Sequence, residues 1–330
     1  MDVTSILETL NKSLSQRDKD YLRGLTESQK EKILKWLEES KNAKANILVT
    51  GATGCGKSST INALFGMEKA VVGTGADPMT MDIDKYDLGN LVIWDSPGLG
   101  DSPEKDELHK KGIIQTLEEK DAQGNLLIDV VLVILDGSSR DMGTSYGLIT
   151  DVIVPHLGKN PEKRLLVGIN QADMAMKGKH WDDVNHKPDA ELGVFLAEKE
   201  RSVRQRIKEG CGLSIETLSY AAGYKEEGKP QEPSYNISKL LYYIVDLIPN
   251  NKRLAVVSQK NKNKKDRYTY DDGKKDYDIE INNKMVPDYI EDITTGAAIG
   301  AALGSVIPGV GTAVGGAIGG VCGLLKSIFW

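Results

Sequence analysis

The stretch ANILVTGATGCGKSSTINALFG, residues 45–66, decides the fold. Its first six residues form a short apolar run of the kind a fully buried strand carries, and its end reads as a helix. Between them, Gly51, Gly56, Lys57 and Ser58 satisfy the spacing G-x-x-x-x-G-K-[ST]. Glycines let the backbone turn tightly and bring N–H groups up to phosphate oxygens. A helix opening near Gly56 adds the positive end of its dipole. Lys57 supplies a mobile cation for the β- and γ-phosphates, and the Ser58 hydroxyl is a ligand for Mg²⁺. The remaining loop residues that face the phosphates are Thr53, Gly54, Cys55 and Ser59. This loop grips a nucleotide but does not say which one, or what is done to it.

The next signal downstream is LVIWDSPGLGD (91–101), which places Asp95 at the end of an apolar strand and Gly98 three residues on. An acid there lies beside the phosphate loop and can hold Mg²⁺ through a water. Gly98 offers a backbone N–H to a γ-phosphate, a contact that only a triphosphate makes. Between the two motifs, VVGTGADPMTMDI (71–83) has no apolar period and suits a mobile loop with a second metal ligand. Thr80 is the chosen residue, and Thr74 is the alternative. The expected catalytic set is Lys57, Thr80 and Gly98, and the expected metal set is Ser58, Thr80 and Asp95.

Base selection is read from RLLVGINQAD (164–173), where an apolar run ends in Asn170, Gln171 and Asp173. A carboxylate at Asp173 accepts from guanine N1–H and the 2-amino group together. Adenine has neither donor, so the paired contact discriminates strongly. Asn170 ties this loop to the phosphate loop. In LSYAAG (218–223) a small residue lets a backbone N–H reach guanine O6. Ala222 is the first choice and Ala221 the second.

Around these motifs strands and helices alternate. Strands are expected at 45–50, 82–87, 91–95, 129–135, 164–170 and 214–219. Helices are expected at 57–66, 104–119, 144–157, 188–209 and 237–248. Repeated βα units imply a mostly parallel sheet covered on both faces. The Gly-Asn turn inside DIDKYDLGNLVIWD (82–95) implies one antiparallel edge hairpin. The fold class is therefore α/β, with a six-stranded, mostly parallel sheet.

The chain divides into an N-terminal helical segment (1–43), the nucleotide domain (44–250), a polar charged linker (251–293) and a hydrophobic tail (294–330). Thr26 and Gln29 form a capping-box pattern that opens the second N-terminal helix. A net charge of −6 gives no nucleic-acid footprint. Three scattered cysteines make neither a disulfide framework nor a zinc pattern. With no secretory signal at the N-terminus, the expected location is cytoplasmic, with peripheral or inserted contact at the cytoplasmic membrane.

Taken together, GATGCGKS at 51, Thr80, DSPG at 95, NQAD at 170 and YAAG at 220 resemble, in order and spacing, a P-loop GTPase domain. The resemblance covers roughly 45–250. It is nearest to the Era-like branch of translation-factor-class GTPases and the bacterial ribosome-binding GTPases. A looser similarity extends to immunity-related and membrane-remodelling GTPases. It implies a Ras-like fold, GTP and GDP as ligands with Mg²⁺, slow hydrolysis, and switch loops near 70–82 and 96–112. It also implies a runner-up role in ribosome assembly, the one route by which nucleic acid would become a partner. Two departures stand out. Gln171 replaces the lysine of N-K-x-D, and Leu99 stands where a water-orienting glutamine is usual. Arg140 is a candidate cis charge for the phosphates.

The tail has glycines every four residues, at 296, 300 and 304 and again at 311, 315, 319 and 323, around a break at Pro308. That is a glycine-zipper hairpin. Its first arm, 294–307, would be about 20 Å long, too short for a bilayer core of about 30 Å. Three readings stand open: membrane contact, packing on the protein's own helices, and nucleotide-dependent self-association into a homo-oligomer. A membrane effector that senses nucleotide with little turnover is the alternative to a hydrolysing switch.

Overall fold

The computed structural model describes residues 16–67, 83–100, 102–139, 143–223, 232–261, 271–287 and 314–329. Thr74, Thr80, Arg140 and the first arm of the tail lie outside the described residues.

Six strands form the central sheet: β1 (Ala45–Gly51), β2 (Asp84–Asp87), β3 (Leu91–Asp95), β4 (Val130–Asp136), β5 (Leu165–Asn170) and β8 (Thr217–Ser219). Their order is β2-β3-β1-β4-β5-β8. Among the described residues of this sheet only the β2–β3 pair is antiparallel, with Asp84 opposite Asp95. The turn between them places Gly89 at φ 89°, where a left-handed residue is needed. Every residue of β1 and β3 is buried, as expected of interior strands packed on both faces. β1 pairs with β3 on one side and β4 on the other, so the phosphate loop leaves the sheet where the strand order reverses. A small second hairpin, β6 (Trp181–Asp182) and β7 (Lys187–Pro188), was not anticipated; its strands are too short to show a period.

The flanking helices are α1 (Gln16–Arg23), α2 (Glu27–Ser40), α3 (Lys57–Phe65), α4 (Pro103–Glu118), α5 (Gly143–Gly147), α6 (Ala190–Cys211) and α7 (Ile237–Leu247). The helix expected at 144–157 is wider-wound over Leu148–Ile153 and tighter over Val154–His156, where Pro155 removes a backbone donor. Thr26 caps α2 reciprocally with Gln29, as the sequence implied.

The stretch expected to be a polar linker differs from that reading. It contains α8 (Arg253–Ser258), all of whose residues are buried, and α9 (Tyr277–Met285), which buries Ile281 and Met285. Leu254, Val256 and Val257 join the main core beside β1 and β4. Charged neighbours hide this short apolar run from a composition reading.

The described part of the tail is one helix, α10 (Val314–Phe329). At 1.5 Å per residue it is about 24 Å long. No helix among the described residues is long and apolar enough to cross a membrane. Val321, Leu324, Leu325, Ile328 and Phe329 are buried in the same cluster as Ile33, Trp36 and Leu37 of α2. Lys30, itself buried, donates from Nζ to the carbonyl of Phe329 at 3.3 Å. A cation there complements the negative end of the helix dipole.

Candidate functional site

The C-terminal ends of β1, β3, β4, β5 and β8 converge on the phosphate loop. Gly56 stands before α3 at φ 89°, in the left-handed region that favours glycine. A Cβ there would also run into the amide of Asn170. The loop is stitched to the segment after β3: Thr53 N–H donates to Leu99 O at 2.9 Å, and Leu99 N–H to Gly51 O at 3.3 Å. Gly98 lies directly under Thr53. An added Cβ would come within 2.6 Å of Thr53 Cα and 2.7 Å of Thr53 N. The phosphate loop and the D-x-x-G turn are therefore in backbone contact. Lys57 Nζ is held near Ala52 O at 3.4 Å. Ser58 is exposed at the mouth of the loop, and Ser59 is half-buried.

Asp95 is buried, and its Oδ1 has no hydrogen-bond partner among the described residues. Burial pushes its carboxyl up to about 6; Lys57 opposes the shift and Asp84 adds to it. A buried carboxylate oxygen without a donor is a costly arrangement unless something supplies positive charge. Hard oxygen donors at Ser58 and Asp95 are the ligand chemistry that Mg²⁺ takes.

Leu99 is also buried, packed with Trp94 and Ile113. Its side chain belongs to the core, and its backbone belongs to the loop. A further residue, without a distinguishing sequence signal, is His109: its Nδ1 lies 3.2 Å from Gly98 O. The carbonyl can only accept, so the ring proton is on Nδ1.

The third set of residues meets the first directly. Asn170 Nδ2 donates to Cys55 O at 2.9 Å, and Asn170 Oδ1 accepts from Ala222 N–H at 3.0 Å. Gln171, at φ 62°, donates from Nε2 to Gly54 O at 2.9 Å. Asp173 follows on the same loop, half-buried. Burial pushes its carboxyl above the usual range, against the pull of the N–H groups of Asp173 and Met174. Cys55 is buried, and burial pushes its thiol up to about 11, so it is a small packing residue rather than a reactive one.

The last loop departs in one respect from the expectation. Ala221 N–H donates to Tyr235 O at 3.1 Å, and Ala222 N–H is engaged by Asn170. Neither of the two alanines chosen from sequence therefore presents a free donor. Gly223, at φ 77°, carries the next N–H in the loop. The spacing within YAAG could not distinguish these three neighbours, since all are small.

Fold and loops together define a P-loop nucleotide-binding domain with the sheet order and antiparallel edge of the GTPase type. The model of the interferon-inducible GTPase (IIGP) family matches residues 17–109. The chain is 27% identical over 213 residues to the tRNA modification GTPase MnmE of Marinomonas sp. (strain MWYL1), covering 59% of this chain and 44% of that protein. It is 45% identical over 74 residues to T-cell-specific guanine nucleotide triphosphate-binding protein 2 of Mus musculus, covering 21% of this chain and 18% of that one. Among solved structures, the LeoA bacterial dynamin GTPase from ETEC overlays with a TM-score of 0.44 at 14% identity, covering 77% of this chain and 45% of that chain. The chain thus spans less than half the length of each of these proteins.

Proposed function

We propose that the chain is a guanine-nucleotide switch that binds GTP and GDP with Mg²⁺ and hydrolyses GTP slowly. The observation that carries this reading is the meeting of two loops: Asn170 and Gln171 hold the phosphate loop by the carbonyls of Cys55 and Gly54, and Asp173 stands on the same loop. Asp173 would accept from guanine N1–H and the 2-amino group, and the N–H of Gly223 would donate to O6. Ser58 and Asp95, with Thr80, would hold Mg²⁺, which would neutralise charge on the β- and γ-phosphates.

Slow turnover follows from Leu99. A buried aliphatic side chain offers no hydrogen bond to orient an attacking water. Multiple-turnover phosphate release from GTP, measured over a range of protein concentrations, tests this. A low rate that rises with concentration supports a switch completed by self-association. A rate no faster than buffer at every concentration would favour the second reading, a nucleotide sensor with little turnover.

The tail is the proposed output. Its helix α10 has no acidic residue and one basic one, Lys326, and packs its apolar side on α2. A membrane or a second copy would compete with that packing. Flotation with liposomes, with GDP and with a GTP analogue, on the full chain and on a chain lacking 294–330, tests membrane contact. Flotation that is unaffected by the deletion would remove it.

A further inference from the structure

Tyr220 is fully buried, yet it carries a hydroxyl. That hydroxyl lies 2.8 Å from Thr60 Oγ1. Thr60 Oγ1 also lies 2.8 Å from the carbonyl of Gly56. The direction of both bonds follows from chemistry. A carbonyl only accepts, so the single Thr60 hydroxyl proton points to Gly56 O. Thr60 must then accept, and Tyr220 donates. Burial pushes the Tyr220 phenol far above its usual range, which keeps it a neutral donor at any working pH. The ring is fixed as well. It lies against Gly168 of β5, where an added Cβ would come within 2.8 Å of Cε1. The backbone of Tyr220 is bonded on both sides, its N–H to Ile169 O at 2.9 Å and its carbonyl to Ala172 N–H at 3.1 Å.

Three successive carbonyls of the phosphate loop are thus held, two directly from the loop after β5 and the third by Thr60 of α3, whose N–H also donates to Gly56 O at 2.9 Å and whose hydroxyl is tied to Tyr220. Gly54 O accepts from Gln171, Cys55 O from Asn170, and Gly56 O from Thr60 with Tyr220 behind it. In a trans peptide the carbonyl and the following N–H point in opposite directions. Holding the carbonyls of Cys55 and Gly56 on one side turns the N–H groups of Gly56 and Lys57 to the other, where phosphate oxygens bind. Gln171 and Asn170 belong to NQAD; Thr60 belongs to no motif, and Tyr220 opens YAAG, whose reading rests on the alanines after it.

We infer that Tyr220 is a positioning residue for nucleotide binding, acting through Thr60 on the Gly56 carbonyl to orient the phosphate-binding N–H groups and to couple them to the base-reading loops. The inference rests on the proposed guanine-nucleotide function. It touches no nucleotide atom and predicts an effect on how long any bound nucleotide stays, not on which base is chosen.

The experiment is dissociation of a fluorescent GDP from the full chain in Mg²⁺, for the unaltered protein and the variants Tyr220→Phe, Thr60→Val, Thr60→Ser and the double variant Tyr220→Phe/Thr60→Val. One buried hydrogen bond corresponds to roughly a three- to tenfold change in rate. Tyr220→Phe and Thr60→Val should each release GDP faster by about that factor. The double variant should be no faster than the worse single one, because both break one chain. Thr60→Ser keeps the hydroxyl and should release GDP at the original rate. Preference for guanine over adenine nucleotide should be unchanged throughout. GDP release from Tyr220→Phe or Thr60→Val at the unaltered rate would overturn the inference, as would two independent, multiplying effects. If Tyr220→Phe does not fold, Thr60→Val carries the same test from the phosphate-loop end of the hydrogen-bond chain. Failure of the unaltered protein to bind any guanine nucleotide would instead sink the proposed function, so the two failures are distinct.

Discussion

Gln171 donates from Nε2 to the carbonyl of Gly54 at 2.9 Å, so the residue that departs from N-K-x-D still fastens the loop after β5 to the phosphate loop. What the bond requires is a donor at the end of a side chain of this length, and an amide supplies one without charge. Gln171→Ala should weaken GDP binding by roughly three- to tenfold, the worth of one hydrogen bond. Gln171→Lys, which restores a donor of similar reach, should remain close to the original affinity. Titration calorimetry on the three proteins checks both outcomes. Equal affinities for the alanine variant and the unaltered chain would show that the bond contributes nothing.

Gly98 and Thr53 make a second prediction. Backbone atoms of Thr53 lie where a Cβ at Gly98 would sit. Gly98→Ala must push the phosphate loop away or move the D-x-x-G turn. Overpacking of this kind costs about 1–3 kcal/mol. The melting temperature should fall, and hydrolysis should be lost even in protein that remains folded. A folded, fully active Gly98→Ala variant would mean that the two loops separate freely.

Asp173 gives a prediction about choice rather than strength. Asp173→Asn replaces one acceptor oxygen with an NH₂ donor. Guanine then meets a donor facing its own donors, while xanthine, which has a carbonyl at C2, gains a partner. The variant should lose most of its affinity for GDP and gain affinity for XDP. Competition between the two nucleotides on the variant measures it. Unchanged GDP preference would remove Asp173 from the base site.

A fourth prediction concerns stability. Asp271 is pushed up to about 7 by burial first and then by Asp272, against a hydrogen bond from Ser238 and the charge of Lys239. The folded state therefore holds a proton on Asp271 that the unfolded chain, at its ordinary value of 3.8, releases. Where the folded state binds more protons, stability falls as pH rises. The loss runs from about pH 4 to about pH 7 and is complete above that. Asp271→Asn should flatten this part of the curve and raise the melting temperature near neutral pH relative to the unaltered chain. Thermal melts from pH 4 to 8 compare the two, and parallel curves would contradict the assignment.

Where the sequence was legible, a strong local constraint set the pattern. The buried strands at 45–51, 91–95, 130–136 and 165–170 are mostly apolar runs, as interior parallel strands require. The glycine-lysine-serine spacing locates the phosphate loop because few other residues meet its dihedral and charge demands. Asn170 was legible for the same reason. The obscure parts depend on contacts between distant segments. Leu254–Val257 is a buried run set among lysines and asparagines, and nothing local shows that it reaches the core beside β1. The engagement of the Ala221 and Ala222 N–H groups depends on Tyr235 and Asn170, 14 and 52 residues away in sequence. Tyr220 reads as an ordinary aromatic at a strand end; its bond to Thr60 spans 160 residues. The side chain of Leu99 looked like a missing catalytic group, whereas its burial makes it part of the packing beneath the loop.

The central claim is that this phosphate loop serves guanine nucleotides because Asp173 and its neighbours read the base. Competition of unlabelled GTP and ATP against a fluorescent GDP, on the full chain with Mg²⁺, measures it most directly. A site built to pair with base donors rejects an analogue lacking them by about 10⁴-fold or more. GTP should displace the probe at concentrations at least ~10³ below those at which ATP does, a margin set conservatively against that discrimination. Displacement by ATP at the same concentration as GTP would contradict the account.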